Sequence, residues 1–246
     1  MVDGRDVALV TGANKGIGRQ TAEELARRGL VVLLGSRDQR RGDAAAAELA
    51  GRGVEVRPVA LDVTDPEEVH AAADLVRDEY GRLDVLINNA GIVDDAPIVE
   101  TTAAGARAVF EVNVLGPIAM IHAMLPLLRA SRAPRIVNVS STTASLGLTS
   151  AGTDFGGDAA RRLAYASSKA ALNMLTVQYA RAFARDSSLR HVKINAATPG
   201  FTATDLNRHR GTRSLAEGAR VVVQLALLPE DGPSGGFFND QGPVPW

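Results

Sequence analysis

Val7-Ala8-Leu9-Val10-Thr11-Gly12-Ala13-Asn14-Lys15-Gly16-Ile17-Gly18 decides how the rest of the chain is read. Four apolar residues give way to a Gly-x-x-x-Gly-x-Gly turn. Arg19 to Arg28, rich in Ala, Leu, Glu and Arg, then reads as a helix that stops at Gly29, where a left-handed terminus belongs. A second apolar run, Val31 to Leu34, completes a βαβ unit. Glycines in the turn permit a tight bend and close backbone approach, while the free amides at the helix start attract a pyrophosphate. The Gly-x-x-x-x-Gly-Lys-Ser/Thr order of a nucleotide hydrolase does not occur.

Further along, short aliphatic runs alternate with helical segments. The runs fall at Val54 to Leu61, Val85 to Ile87, Ile136 to Val139 and Val192 to Ile194. They are apolar throughout, as strands covered on both faces are, so the pattern predicts a doubly wound parallel sheet of about seven strands with helices on both faces. Gln39 to Ala50 and Pro66 to Tyr80 are the expected crossover helices. Thr64 or Asp65 caps the second, Pro66 lies in its first turn, and Asp62 is left on the loop past a strand. Thr142 to Gly157, rich in Ser, Thr and Gly, lacks sustained periodicity and reads as a loop or lid beside the site.

The 246 residues contain no linker-like stretch, so one domain spanning residues 1–246 is expected. A hydrophobic fraction of 46% and a net charge of −1 describe a soluble protein whose interspersed charges offer nucleic acid or an anionic membrane no basic stripe. The absence of cysteine excludes a disulfide framework and a thiol nucleophile. His70, His122, His191 and His209 are scattered without metal-ligand spacing, so no metal is expected. Met1 to Arg5 precede the first strand without a long apolar segment, which points to the cytoplasm.

Two further patterns carry chemistry. Tyr165 and Lys169 lie four residues apart in Tyr-Ala-Ser-Ser-Lys, which on a helix stacks phenol and ammonium on one face. The cation favours the phenolate, so the tyrosine pKa of ~10 is expected to fall toward neutrality, as suits a general acid. Past the second strand comes Gly35-Ser36-Arg37-Asp38. A carboxylate at the strand end would grip the ribose 2′-hydroxyl of NAD, whereas Arg37 together with Lys15 suits the 2′-phosphate of NADP. NADP is the preferred reading; Asp38, twenty residues after Gly18, keeps NAD as the second choice.

With Thr11 to Gly18, Asn88-Asn89-Ala90-Gly91, Asn113, Ser141 and the Tyr165/Lys169 pair in order, the chain resembles the short-chain dehydrogenase/reductase family over nearly its whole length. Within it, the chain is most similar to the carbonyl reductases. Asn14-Lys15, Pro199-Gly200 followed by Thr204-Asp205, and a tail of Leu227-Leu228-Pro229 and Gly236-Phe237-Phe238 ending in Trp246 carry that narrower resemblance.

The resemblance implies a single-domain Rossmann-fold enzyme that reduces a ketone or aldehyde reversibly with NADPH. Tyr165 would protonate the carbonyl oxygen, Lys169 would depress the tyrosine pKa and hold the nicotinamide ribose, and Ser141 would polarise the carbonyl. Ser140 competes for that role, but the family's serine corresponds to the second of the pair. Asn113 would hold a water linking Lys169 to solvent. Cofactor contacts would come from Gly12, Asn14, Lys15, Gly16, Ile17 and Gly18. Further contacts would be Arg37, Asp62 and Val63 at the adenosine, and Asn89, Ala90 and Gly91 along its ribose. Pro199, Gly200, Thr202 and Thr204 would lie near the nicotinamide amide.

The spacing of twenty-four residues between Ser141 and Tyr165 exceeds that of the family's commonest members. Extra chain there is expected to cover the helical face that many relatives use to dimerise, which favours a monomer over a homodimer or homotetramer. Ile92, Val93, Phe155, Phe201 and Trp246 are candidate pocket residues. Competing readings are an NAD-linked alcohol or steroid dehydrogenase and a non-catalytic NADP-binding sensor.

Overall fold

The computed structural model describes residues 4–246. Eight strands form one sheet in the order β3-β2-β1-β4-β5-β6-β7-β8. They are β1 Val7–Val10, β2 Val31–Ser36, β3 Arg57–Ala60, β4 Val85–Asn88, β5 Arg135–Val139, β6 Lys193–Ala197, β7 Phe237–Asn239 and β8 Gly242–Pro243. The first seven are parallel. β8 adds a two-residue antiparallel edge that the expectation of about seven strands did not include. Because β1 lies between β2 and β4, the chain reverses direction across the sheet there, and a crevice opens past the carboxyl ends of β1 and β4.

The pleat divides the apolar residues between two layers. Val7 and Leu9 face α3 (Pro66–Tyr80), α5 (Gly116–Ala130) and α7 (Leu163–Arg185), where Val76, Met120, Met124 and Phe183 complete the core. Ala8 and Val10 face α1 (Gly16–Arg27), α2 (Gln39–Ala50) and α8 (Leu215–Ala226). The run Ala103–Ala130 is long and apolar enough to cross a membrane by composition, yet Met120, Ile121, Met124 and Leu128 are spent in the core. It comprises α4 (Ala103–Phe110), a π-helical turn at Glu111–Leu115, and α5.

Local chemistry explains the boundaries. Asp65, not Thr64, caps α3 by accepting from the amides of Glu67 and Glu68, with Pro66 in its first turn. The expected strand Val54 to Leu61 shrinks to Arg57–Ala60. The Val54 amide is claimed by the Leu49 carbonyl at 3.0 Å, which makes Val54 part of the closure of α2.

The segment Thr142 to Gly157 is not the irregular loop its composition suggested. It contains a 3₁₀ turn, Thr142–Ala144, and α6, Leu146–Ser150, whose N-cap Ser145 accepts from the Leu148 amide. Nor does α6 cover the outer face of α7. Leu148 packs against the cluster of Ala196, Phe237 and Val244, and the Gly147 amide donates to the Trp246 carbonyl at 3.1 Å. Met174 of α7 stays 57% exposed.

Candidate active site

The crevice at the chain reversal is floored by the glycine turn. Gly12 adopts φ +61°, and a Cβ on it would lie 2.9 Å from Ala90 Cα, so the turn and the end of β4 are in backbone contact. Asn89 ties them further: its Nδ2 donates to the carbonyls of Thr11 (2.8 Å) and Gly12 (3.0 Å), and the amides of Asn89 and Ala90 both donate to Thr11 Oγ1. A Cβ on Gly18 would lie 2.7 Å from the Gly12 carbonyl and collide with that same Asn89 amide. The Ala13 amide is pinned to the Gly35 carbonyl at 2.8 Å. Asn14 is partly exposed, Ile17 packs partly into the core, and α1 begins at Gly16 with its early amides facing the crevice mouth. This cradle leaves room only for backbone beneath an anionic group, which fits the pyrophosphate of a dinucleotide.

Past the carboxyl end of β2, the two candidate nucleotide readers differ. Asp38 is committed to capping α2, accepting from the Arg41 amide and pairing with the Arg41 guanidinium at 3.3 Å. Arg37 is exposed, and its guanidinium has no ion pair among the described residues. Lys15 is not free: its Nζ lies 2.7 Å from Asp205 Oδ2. Asp62 Oδ1 accepts from the amide and hydroxyl of Thr64, while its own amide donates to Glu68. The Val63 side chain is buried in the core, which would leave only its backbone for an adenine; the sequence offered no sign of that burial.

The candidate catalytic side chains converge where β5 and α7 meet. Lys169 is 4% exposed; its ammonium donates to the Val139 carbonyl at 2.8 Å and lies 5.8 Å from the centroid of the Tyr165 ring. Burial pushes that ammonium down to about 8. The same burial pushes the Tyr165 phenol up from its usual value, and a hydrogen bond with Ser141 pulls it only part of the way back. The expected depression of the tyrosine by Lys169 is therefore not found. The ammonium is turned to a backbone carbonyl, and desolvation outweighs the hydroxyl's contribution.

Ser141, rather than Ser140, is the hydroxyl that faces the phenol. Ser140 is buried and donates to Asn173 Oδ1 at 2.7 Å. Ser141 Oγ also accepts from the Thr143 amide (3.3 Å) and shares a hydrogen bond with Thr143 Oγ1 (2.9 Å), a partner the family pattern did not flag. Asn113 sits in the π-helical turn, fully buried. Its Oδ1 accepts from the Ile92 amide and its Nδ2 donates to the Ile92 carbonyl and Ser168 Oγ. That side chain fixes the strand-end loop and the Tyr165 helix to each other, with Gly91 between. A Cβ on Gly91 would lie 3.3 Å from Asn113 Oδ1 and 3.4 Å from Lys169 Nζ.

Beneath the site, Asn88 of the strand-end motif, together with Asn138 and Thr176, which motif reading missed, ties three elements together. Asn88 Nδ2 donates to Asn138 Oδ1, and Asn138 Nδ2 to Thr176 Oγ1, each at 2.9 Å. Both asparagines lie on apolar strands, and that interruption of the pattern was the available signal.

On the far side, Thr202 is 3% exposed and spends its hydroxyl on the Pro199 carbonyl, which closes the bend at Gly200 (φ +72°). Thr204 caps the 3₁₀ turn Asp205–Asn207. Of the expected pocket residues, Phe201 packs beneath the bend at Gly156 and Gly157, and Ile92, Val93 and Phe155 are partly exposed. Trp246 instead stacks on Phe237, 5.5 Å between centroids. Among the described residues no group of His, Cys, Asp or Glu is arranged to hold a metal ion.

A glycine cradle beside a buried lysine, a tyrosine and a serine has the groups to bind a nicotinamide cofactor and deliver a proton, and known proteins resemble this chain in sequence and fold. A family model for short chain dehydrogenases matches residues 6–214. Carbonyl reductase [NADPH] 1 of Rattus norvegicus is 33% identical, with 100% of each chain covered. (+)-Neomenthol dehydrogenase of Arabidopsis thaliana is 34% identical over 94% of this chain and 95% of its own. The solved structure of NADPH-bound carbonyl reductase from chicken fatty liver superposes with a TM-score of 0.83 at 29% identity, covering 98% of this chain and 100% of that one. The glycine cradle, the buried lysine and the agreement along nearly the whole length lead to one conclusion: the chain is an oxidoreductase of the short-chain dehydrogenase family.

Proposed function

We propose that the chain reduces a ketone or aldehyde to an alcohol, reversibly, with NADPH as the preferred cofactor and Tyr165 as the proton donor. The observation that carries the reading is the convergence of Ser141, Tyr165 and Lys169 beside the glycine cradle. The bound nicotinamide would supply the hydride. The raised pKa keeps the Tyr165 phenol protonated at neutral pH, ready to give its proton to a carbonyl oxygen as negative charge develops there. Ser141 holds that oxygen through its hydroxyl, oriented by Thr143. Lys169, still largely protonated at neutral pH, supplies positive charge next to the phenolate left behind.

Arg37 and Lys15 would hold the 2′-phosphate, and the commitment of Asp38 to its helix cap favours NADPH over NADH. Relatives named for NADPH support the same preference. One domain carries both cofactor and substrate sites, and a small carbonyl compound is the partner.

The test is loss of NADPH absorbance against aromatic ketones, quinones, aldehydes and keto esters, with NADH alongside. Tyr165→Phe should lose at least about 100-fold in turnover while binding NADPH within about two-fold of the parent, in line with the worth of a general acid. Undiminished turnover by that variant refutes the assignment. Tight NADPH binding with no turnover across the panel favours a binding protein instead.

A further inference from the structure

The turn after β6 reaches over the crevice to the glycine turn. Asp205 Oδ2 lies 2.7 Å from Lys15 Nζ, and Asp205 Oδ1 lies 2.7 Å from His209 Nε2. Thr204 Cγ2 comes within 3.8 Å of where a Cβ on Gly16 would sit.

The turn is shaped to keep the carboxylate there. Thr204 and Asn207 cap each other reciprocally. Arg208 and His209 follow in consecutive left-handed conformations, φ +55° and +58°, which non-glycine residues adopt only under constraint. On the other side Arg208 pairs with Asp95 at 2.8 Å, while Arg161 donates to the Asp95 carbonyl. Asp205 is thus held against the one cation that rises from the glycine turn.

We propose that Asp205 is a specificity-determining residue for the nucleotide: it holds the Lys15 ammonium in a pair that a 2′-phosphate must take over, and so tempers the preference for NADPH that Lys15 and Arg37 create. The inference rests on the reading that the 2′-phosphate binds at Lys15 and Arg37. Lys15 and Asp205 are 56% and 50% exposed, so their pair is a weak one that a dianion can displace. NADH has a ribose hydroxyl at that position and does not compete with Asp205 for the ammonium.

The experiment measures dissociation constants for NADPH and NADH by titrating nicotinamide fluorescence at low ionic strength. Asp205→Asn should tighten NADPH about three- to five-fold, the size expected of an exposed charge pair, and leave NADH within two-fold. The gain should shrink in 0.5 M salt. In a Lys15→Ala background the same substitution should change NADPH affinity by less than two-fold, because the carboxylate acts through that ammonium. Asp205→Ser carries the same expectation, so misfolding of one variant leaves the other to decide.

An unchanged or weakened NADPH affinity overturns the inference. So does a gain that persists without Lys15, or an equal gain for NADH. Arg37→Ala separates this from failure of the underlying reading: if it leaves the NADPH-to-NADH ratio of the parent unchanged, the 2′-phosphate does not bind at this end.

Discussion

Replacing Lys169 with methionine should turn a pH-dependent stability into a flatter one. Lys169 is 4% exposed, and its ammonium donates to the Val139 carbonyl. Burial brings its pKa from 10.5 to about 8 in the folded protein. Because the folded value is the lower one, the unfolded chain binds more protons between pH 8 and 10.5, and stability rises with pH through that window. At ~1.4 kcal/mol per pH unit the full gap corresponds to about 3 kcal/mol held against the fold below pH 8. About 2 kcal/mol of that is returned between pH 7 and pH 10.

Methionine fills a similar volume without a charge, at a pH-independent cost of about 1 kcal/mol for the carbonyl it leaves unbonded. Urea unfolding of the cofactor-free protein at pH 7, 8, 9 and 10 should show the parent gaining about 2 kcal/mol on Lys169→Met across the series. Repeating the comparison in a Tyr165→Phe background removes the neighbouring phenol from the difference. Two curves that stay parallel within about 0.5 kcal/mol from pH 7 to 10 would mean that the ammonium is not desolvated as described.

Gly18→Ala places a methyl group on the Gly12 carbonyl and the Asn89 amide; it should cost about 2 kcal/mol in urea unfolding and weaken dinucleotide binding at least about ten-fold by calorimetry. Gly91→Ala wedges a carbon between Asn113 Oδ1 and Lys169 Nζ. Stability should change by less than about 1 kcal/mol while turnover drops about ten-fold, and equal losses of both would contradict a positioning role. Thr143→Val removes the hydroxyl that orients Ser141 and should lower kcat about ten-fold with KM changed less than two-fold. Thr143→Ser should restore it, and a valine variant with full kcat would remove Thr143 from the account.

The crossover helices were legible because their ends carry local chemistry: Asp65 and Pro66 start α3, and α2 runs from Gln39 to Ala50 as its pattern indicates. The glycine turn was legible for the same reason, since its backbone geometry is a property of a few adjacent residues. What depended on distant partners was not. Nothing near Tyr165 says that the Lys169 ammonium will turn to Val139, or that desolvation will outweigh Ser141. The side chain of Val63, read as a possible adenine neighbour, is consumed by packing near Gly116, fifty-three residues away in sequence. Likewise α6 was hidden because a five-residue helix has too few turns to show a period, and it is held by Phe237, Val244 and Trp246 at the other end of the chain.

The anchoring of α6 also bears on how new activities could be obtained from this scaffold. The segment from Leu146 to Arg162 meets the rest of the molecule at the C-terminal hairpin, at Phe201 and, through Arg161, at the Asp95 carbonyl, while the glycine cradle, Asn113 and the Asn88–Asn138–Thr176 chain lie outside it. On the proposed reading, cofactor handling and substrate reading would therefore be separable cassettes. A library confined to residues 146–162 could explore new carbonyl compounds while the machinery that holds the nucleotide stays constant.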